Sequence, residues 1–86
     1  MVTPESIKTS IERGLTCEHV EVRGDGHHWE AVIVSSAFES LAKVRQHQLV
    51  YAALGDRMRE EIHALSMTTL TPAQWTAGRN AGDAGR

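Results

Sequence analysis

The sequence has 86 residues, enough for one small domain and too few for a second. Hydrophobic residues make up 41% of the chain and charged residues 23%, which excludes disordered and fibrous classes for most of its length. The formal net charge of −2 gives no overall attraction to nucleic acid, so any such site must be a local patch. Cys17 is the only cysteine, which excludes an internal disulfide and every Cys-x-x-Cys metal motif and suits the cytoplasm.

No segment of the sequence has the pattern of a membrane span or a targeting signal. The longest strongly apolar run, residues 29–34, is interrupted by Glu30 and is too short to cross a bilayer. The N-terminus lacks the basic-then-apolar order of a signal peptide. We therefore expect a protein without membrane contact.

The N-terminal third predicts a helix followed by a strand. Thr3 before Pro4 is typical of a helix start, and Gly14 is typical of a helix end, so we expect a helix over Pro4–Arg13. Polar and apolar residues then alternate over Cys17–Arg23, which predicts a strand with one face in solvent.

A glycine-rich turn separates this strand from the next. Gly24-Asp25-Gly26 favours a tight turn because glycine tolerates a positive φ. The segment His28–Val34 is rich in residues that favour strands. The sequence therefore predicts a β-hairpin.

The middle of the chain predicts a short helical piece and then the main amphipathic helix. Ser35 and Ser36 form a cap ahead of Phe38. The main helix is expected from Lys43 to about Glu61, with Gly55 weakening its middle. Its apolar positions are Val44, Leu49, Val50, Tyr51, Leu54, Met58 and Ile62.

The C-terminal part predicts a third strand, a second helix start and a tail. We expect the strand over His63–Leu70 and a helix beginning at Thr71-Pro72. Trp75 in that helix either packs on the domain or serves a partner, and packing statistics favour the former. We expect the tail, Arg79–Arg86, to be disordered and the domain to end at residue 78. The resulting order is α-β-β-α-α-β-α.

The histidines are the candidate metal ligands, and no catalytic constellation is visible, so we do not expect an enzyme. His27 and His28 lie at the hairpin tip and His63 at the start of the third strand, where a sheet edge could bring them together. Two or three imidazoles with Asp25 would form an open, incomplete site whose missing ligands come from a partner. Alternatively, His27 and His28 are ordinary loop residues and His63 hydrogen-bonds a helix C-terminus.

Two other features have simpler interpretations. Cys17 is most simply a small apolar residue at a strand start rather than a redox or metal-binding thiol. Lys43, Arg45 and His47 give the main helix positive charge, which nearby acids dilute, so a solvated face is favoured.

Three segments of the sequence resemble the BolA family. They are the run from Phe38 to Tyr51, the segment Ile62–Met67 and the segment Thr69–Trp75. The hairpin Gly24–Trp29 is similar to that of the short-loop, IbaG-like bacterial members. The resemblance covers about residues 4–75. It implies an α+β fold of the class II KH type, α-β-β-α-α-β with a terminal helix, in which a three-stranded mixed sheet carries helices packed on one face.

The resemblance also implies a function. BolA-like proteins are partners of monothiol glutaredoxins, with which they form heterodimers that hold a bridging [2Fe–2S] cluster in iron–sulfur trafficking and iron homeostasis. His63 corresponds to the family's C-terminal histidine ligand. The second ligand comes from the hairpin, where His28 and His27 compete and the position before the aromatic residue favours His28.

The implied cluster is shared between two proteins. Glutaredoxin would give its cysteine and a bound glutathione thiolate to one iron, and two imidazoles of this chain, a monomer when free, would hold the other. Neutral imidazoles raise the reduction potential, and protonation would release the cluster below about pH 6.

The alternative that the resemblance implies is a KH-like, nucleic-acid-binding transcriptional regulator of stress response and morphology. Lys43, Arg45 and His47 would then carry the contact. However, many family members have glycine in place of Ser40 and basic residues in place of Gln46 and Gln48, and these departures weaken a nucleic-acid face.

Overall fold

The computed structural model describes residues 2–55, 62 and 64–84 of the chain. The elements in chain order are helix α1 (Pro4–Gly14), strands β1 (His19–Gly24) and β2 (Trp29–Val34), a 3₁₀ turn (Ser36–Phe38), helix α2 (Lys43–Leu54), strand β3 (Leu65–Leu70) and helix α3 (Pro72–Ala84). This order confirms the predicted α+β class. Among the described residues, no helix combines the length and apolar character needed to cross a membrane.

The three strands form one mixed sheet in the order β1-β2-β3. Strands β1 and β2 pair antiparallel, with Val20 opposite Ile33. Strands β2 and β3 pair parallel, with Trp29 opposite Leu65. Helices α1 and α2 cover one face, because alternate strand residues on that face join helix residues in a single buried cluster. Its members are Ile7, Ile11, Val20, Trp29, Ala31, Ile33, Phe38, Val50, Leu54 and Ile62.

Trp75 of α3 covers part of the opposite face. His19 precedes the core residue Val20 on β1 and therefore lies on the other side of the sheet. The ring of Trp75 stacks on His19, with centroids 4.8 Å apart and an interplanar angle of 20°. The packing role favoured for Trp75 is thus present in the structure, and α3 reaches the face that α1 and α2 leave open.

Helix α2 is shorter than predicted. The sequence places Gly55 within a helix that continues to Glu61, whereas the structure ends α2 at Leu54 and makes Gly55 its C-terminal cap. Gly55 has a φ of +61°, and its N–H donates to the Tyr51 carbonyl at 2.9 Å. With its ψ at −136°, Gly55 has a backbone conformation that only glycine adopts without steric cost, which ends the helix there. Residues 56–61 lie outside the described part of the chain.

The C-terminal elements also have shifted boundaries. Strand β3 begins at Leu65 rather than His63, because Ala64 has a φ of +47°, which is not an extended conformation. Helix α3 continues to Ala84, although the sequence predicts disorder from Arg79. A capping box at Thr71 starts this helix and frequent alanines favour its continuation. The domain end at residue 78 stays a prediction.

Candidate functional site

The β1–β2 hairpin ends in a four-residue loop whose backbone is fixed by Asp25. Its Oδ1 accepts hydrogen bonds from the backbone N–H groups of His27 and His28, both at 2.8 Å. The Asp25 N–H donates to the His28 carbonyl at 3.2 Å. Gly26 has a φ of +97°, which only glycine adopts readily. The loop therefore has a defined backbone although its residues are exposed.

The charge of Asp25 suits this arrangement. Hydrogen bonds from the backbone of His28 and then His27 lower the pKa of the Asp25 carboxyl, because they stabilise its ionised form. Both histidine side chains of the loop are exposed. The Asp25 carboxylate thus holds the loop backbone while both histidine side chains stay exposed.

The base of the loop is closely packed on the core. A Cβ atom added to Gly24 would lie 2.5 Å from both the His28 carbonyl oxygen and the Trp29 Cε3 atom. Trp29 is only 3% exposed, and its buried indole Nε1 has no hydrogen-bond partner. The base of the hairpin loop therefore packs directly against the buried cluster.

Parallel pairing brings the loop to the start of β3. The Trp29 N–H donates to the Ala64 carbonyl at 3.1 Å. Ala64 directly precedes Leu65, the residue of β3 that pairs with Trp29. The structure thus joins the base of the His27–His28 loop to Ala64, the residue directly before β3. His63, the other predicted ligand, lies outside the described residues. Within residues 2–55, 62 and 64–84, no three His, Cys, Asp or Glu side chains are grouped as a metal site.

Cys17 has a structural environment. The thiol is partly buried against the core cluster, and its Sγ donates to the Leu15 carbonyl at 3.4 Å. Burial, followed by the negative charges of Glu12 and Glu18, raises the pKa of the Cys17 thiol to about 11. A protonated thiol is a poor nucleophile and a poor metal ligand, which agrees with the structural interpretation of this residue.

The second candidate surface is the N-terminal part of α2. Lys43 donates its Nζ hydrogen to the Thr69 carbonyl, so this amine is engaged with β3. Arg45 is exposed and His47 is partly buried. No side chain caps the helix at Ala42, and the preceding turn contains Ser40 with a φ of +66°. A serine here occupies a conformation that favours glycine.

Gln46, which the nucleic-acid alternative counts with the surface of α2, is buried in the structure. It is 4% exposed, and its Nε2 donates to the carbonyls of Phe38 and Leu41 at 3.1 and 2.9 Å. Its Oε1 accepts from Thr69 Oγ1 at 2.6 Å. Gln46 therefore fastens the turn before α2 to β3. Its spacing of four from Val50, itself four from Leu54, is the sequence signal that places it on the buried helix face.

The outward side of α2 carries apolar residues that the sequence assigned to the core. Val44 is 68% exposed and Tyr51 is 42% exposed. They differ from the prediction because the buried face of α2 follows residues 46, 50 and 54 instead. A shallow groove lies on this side, lined by Leu41, Arg45, Gln48 and Leu49.

His19 has a contact that sequence reasoning missed. Besides stacking on Trp75, its Nε2 lies 3.0 Å from Glu21 Oε1, without hydrogen-bond alignment. Alternation along β1 places His19 and Glu21 on one face, but no local pattern links His19 to a residue as distant in sequence as Trp75.

The fold and the hairpin define a small α+β domain with two exposed histidines at one end of the sheet, in the loop between β1 and β2. A family model described as BolA-like protein matches residues 2–74, and the chain belongs to this family. Proteins of the family are generally regulators or partners rather than enzymes.

Curated relatives support the assignment. Acid stress protein IbaG of Escherichia coli K12 is 32% identical over 74 residues, covering 85% of this chain and 88% of the relative. Human BolA-like protein 1 is 38% identical over 80 residues, covering 81% and 58%, respectively. The chain thus spans less than two thirds of the length of the mammalian relatives. The DNA-binding transcriptional regulator BolA of Haemophilus influenzae is 39% identical over 59 residues, covering 69% of this chain and 57% of the relative.

Solved structures show the same fold. A BolA homologue from Coxiella burnetii is 47% identical, with a TM-score of 0.80 over 88% of this chain and 99% of the other. Yeast Fra2 is 28% identical, with a TM-score of 0.72 over 87% and 85% of the two chains. These likenesses confirm the architecture that the sequence predicts.

Proposed function

We propose that this chain is a non-enzymatic partner of a monothiol glutaredoxin and that the heterodimer holds a bridging [2Fe–2S] cluster for iron–sulfur trafficking and iron homeostasis. The observation that carries the proposal is the hydrogen-bonded hairpin loop, which exposes His27 and His28 and whose base is joined through Trp29 to Ala64, the residue before β3. The proposal includes a cytoplasmic location and a monomeric free protein.

The chemistry of the donor groups suits this cargo. Imidazole nitrogen ligates one iron of a [2Fe–2S] cluster in Rieske-type centres, where two histidines replace two cysteines. One hairpin imidazole, from His28 or His27, and the imidazole of His63 would hold one iron. The glutaredoxin cysteine and a glutathione thiolate would hold the other, and the neutral nitrogen ligands would raise the reduction potential of the cluster.

The protein environment supports the hairpin as the ligand-bearing element. The loop backbone is fixed by hydrogen bonds, and its base is packed on buried Trp29. Ligands on such a loop need little ordering when the metal binds, which favours affinity. Cys17 is the less suitable donor, because its thiol is partly buried and its pKa is raised to about 11.

Cluster reconstitution with a monothiol glutaredoxin and glutathione tests the proposal. The mixture is reconstituted anaerobically and followed by visible absorption and circular dichroism. We expect a mixed-complex spectrum that differs from the glutaredoxin homodimer and is lost or altered in His63→Ala. Separate His27→Ala and His28→Ala variants identify the hairpin ligand. His47→Ala, on α2, is the matched control and should resemble the wild type.

No spectral change on mixing would contradict the proposal, and so would equal spectra for the wild type and all four variants. Each variant is first checked by far-ultraviolet circular dichroism, so that a lost cluster is not confused with a lost fold.

Nucleic-acid binding is the second candidate, supported by the likeness to a relative named as a DNA-binding transcriptional regulator. Its surface would be the start of α2, with Lys43, Arg45 and His47. Binding through phosphates should weaken with salt, with a logarithmic slope that falls by roughly one for each cation removed. Fluorescence anisotropy with labelled DNA should therefore respond to Arg45→Ala, whereas His63→Ala should have no effect on it.

A further inference from the structure

His27 and His28, the two candidate metal ligands of the hairpin, each donate a backbone hydrogen bond within the loop. The backbone N–H groups of His27 and His28 both point to one oxygen of Asp25, each at 2.8 Å. No other described acidic side chain accepts from more than one backbone N–H; Glu18, for instance, accepts only from Ser36, at 3.2 Å. Asp25 is therefore placed to control the backbone from which both imidazoles extend.

We propose that Asp25 is a positioning residue for the metal-binding imidazole of the hairpin. It acts by holding the loop backbone and does not itself ligate iron. The inference rests on the proposed function, because it concerns the same site.

A fixed loop backbone preorganises the hairpin imidazoles for metal binding. Exposed loop tips are ordinarily mobile, and a mobile ligand loses conformational freedom when it binds metal. Gly26 has a φ of +97°, and a Cβ added there would have no atom within 4 Å beyond its chain neighbours, so no packing at this position holds the turn. The carboxylate of Asp25 supplies the restraint, since it accepts two charge-assisted hydrogen bonds within four residues. The imidazoles are then presented from a fixed backbone.

The distinction between positioning and ligation is open to a conservative substitution. Asp25→Asn keeps an oxygen in the place of Oδ1, so it retains the acceptor for the two N–H groups. The neutral amide is a poorer metal ligand than a carboxylate. A positioning role therefore predicts that Asn rescues most of the function that Ala loses, and a ligand role predicts that both substitutions fail.

The first readout uses the free protein and needs no cluster. Amide hydrogen exchange, measured by ¹⁵N nuclear magnetic resonance, should accelerate roughly tenfold at His27 and His28 in Asp25→Ala and about threefold or less in Asp25→Asn. Glu18→Ala is the matched control, because it removes a carboxylate that accepts one backbone N–H from Ser36. The exchange of the two histidine amides should be unchanged in this control.

The second readout is the lifetime of the cluster in the complex with glutaredoxin and glutathione, after anaerobic reconstitution with ferrous iron and sulfide. Decay of the visible circular dichroism should be about five- to tenfold faster for Asp25→Ala than for the wild type. It should be within about twofold of the wild type for Asp25→Asn.

Unchanged amide exchange in Asp25→Ala would overturn the inference, and so would a wild-type cluster lifetime in that variant. Equal loss in the Ala and Asn variants would also overturn it, in favour of direct ligation. In these cases the wild type still forms the mixed cluster and the proposed function stands. If the wild type forms no mixed cluster, the proposed function fails and the positioning role in metal binding fails with it.

Discussion

The hairpin loop and the turn before α2 are both stabilised by side-chain hydrogen bonds to the backbone, from an exposed residue in the loop and from a buried one at the turn. Each contains a residue with positive φ, Gly26 at +97° and Ser40 at +66°. Each is held by one side chain that bonds to several backbone groups, Asp25 in the hairpin and Gln46 beside the turn. Asp25 does this from the surface, whereas Gln46 is buried.

The hairpin loop therefore presents possible ligands to solvent, whereas side chains at the start of α2 stabilise the fold. In the hairpin, the polar anchor uses backbone groups only and leaves both imidazoles exposed. At the start of α2, the side chains of Gln46 and Lys43 are both engaged with β3 through Thr69. The Lys43 amine is therefore engaged with the fold and Arg45 is left as the exposed cation at this end of α2, which makes the hairpin the better candidate for binding chemistry.

The largest effect should come from Gly24 at the base of the hairpin. Gly24→Ala places a Cβ 2.5 Å from the His28 carbonyl and the Trp29 ring, which must then shift. We expect a loss of about 2–4 kcal/mol in the free energy of unfolding, measured in urea. Gly78→Ala on α3 is the control, because open space surrounds that position, and it should be neutral or stabilising by about 0.5 kcal/mol. Similar values for the two variants would contradict the close packing described for the loop.

Gln46 provides the corresponding test at the turn before α2. Gln46→Met keeps the approximate shape but removes the bonds to the Thr69 hydroxyl and to the Phe38 and Leu41 carbonyls, of which the Phe38 carbonyl still accepts from the Leu41 N–H. The variant should cost about 2–3 kcal/mol in urea unfolding. Gln48→Met, on the exposed side of the same helix, should change stability by less than about 0.5 kcal/mol. Equal effects would mean that Gln46 does not anchor the turn.

Ser40 should respond in the opposite direction. Ser40→Gly relieves a left-handed conformation and is expected to stabilise the fold by about 0.5–1 kcal/mol, after the greater freedom of glycine in the unfolded chain is subtracted. Ser36→Gly, in the 3₁₀ turn, is the control and should be slightly destabilising. Thermal unfolding distinguishes them, and a destabilised Ser40→Gly variant would refute the conformation of this turn.

The prediction with the smallest effect on the fold concerns the reactivity of the Cys17 thiol, a possible metal donor outside the hairpin. Because the pKa of Cys17 is raised from 9.0 to about 11, its thiolate fraction at pH 8, and hence its rate of alkylation, should be about 100-fold lower than that of an ordinary thiol. Iodoacetamide labelling followed by mass spectrometry over a pH series should show a midpoint displaced upward. A midpoint at or below 9 would make Cys17 a competing ligand.

Local signals in the sequence predicted the elements best. The Thr3-Pro4 start of α1, the Ser35 cap and the glycine turn of the hairpin each depend on residues within one turn of chain, and each is present in the structure. The hairpin position of His27 and His28 followed from the same signals.

Features that depend on distant contacts were missed or misplaced. Gln46 owes its burial to Thr69 and to the turn before α2, contacts that the residues next to it in the sequence do not indicate. The exposure of Val44 follows from which side of α2 meets the sheet. The role of Asp25 has a local signal, because aspartate commonly accepts from N–H groups two and three residues on. The prediction of the turn depends on the flanking glycines instead.

The most direct test is pulsed electron paramagnetic resonance of the reduced mixed cluster, with this chain labelled with ¹⁵N-histidine and glutaredoxin left unlabelled. The proposed ligand set predicts ¹⁵N couplings from two imidazoles, one of which disappears in His63→Ala and the other in His28→Ala or His27→Ala. A cluster without ¹⁵N coupling would show that the imidazoles of this chain do not hold iron, and would contradict the proposed function.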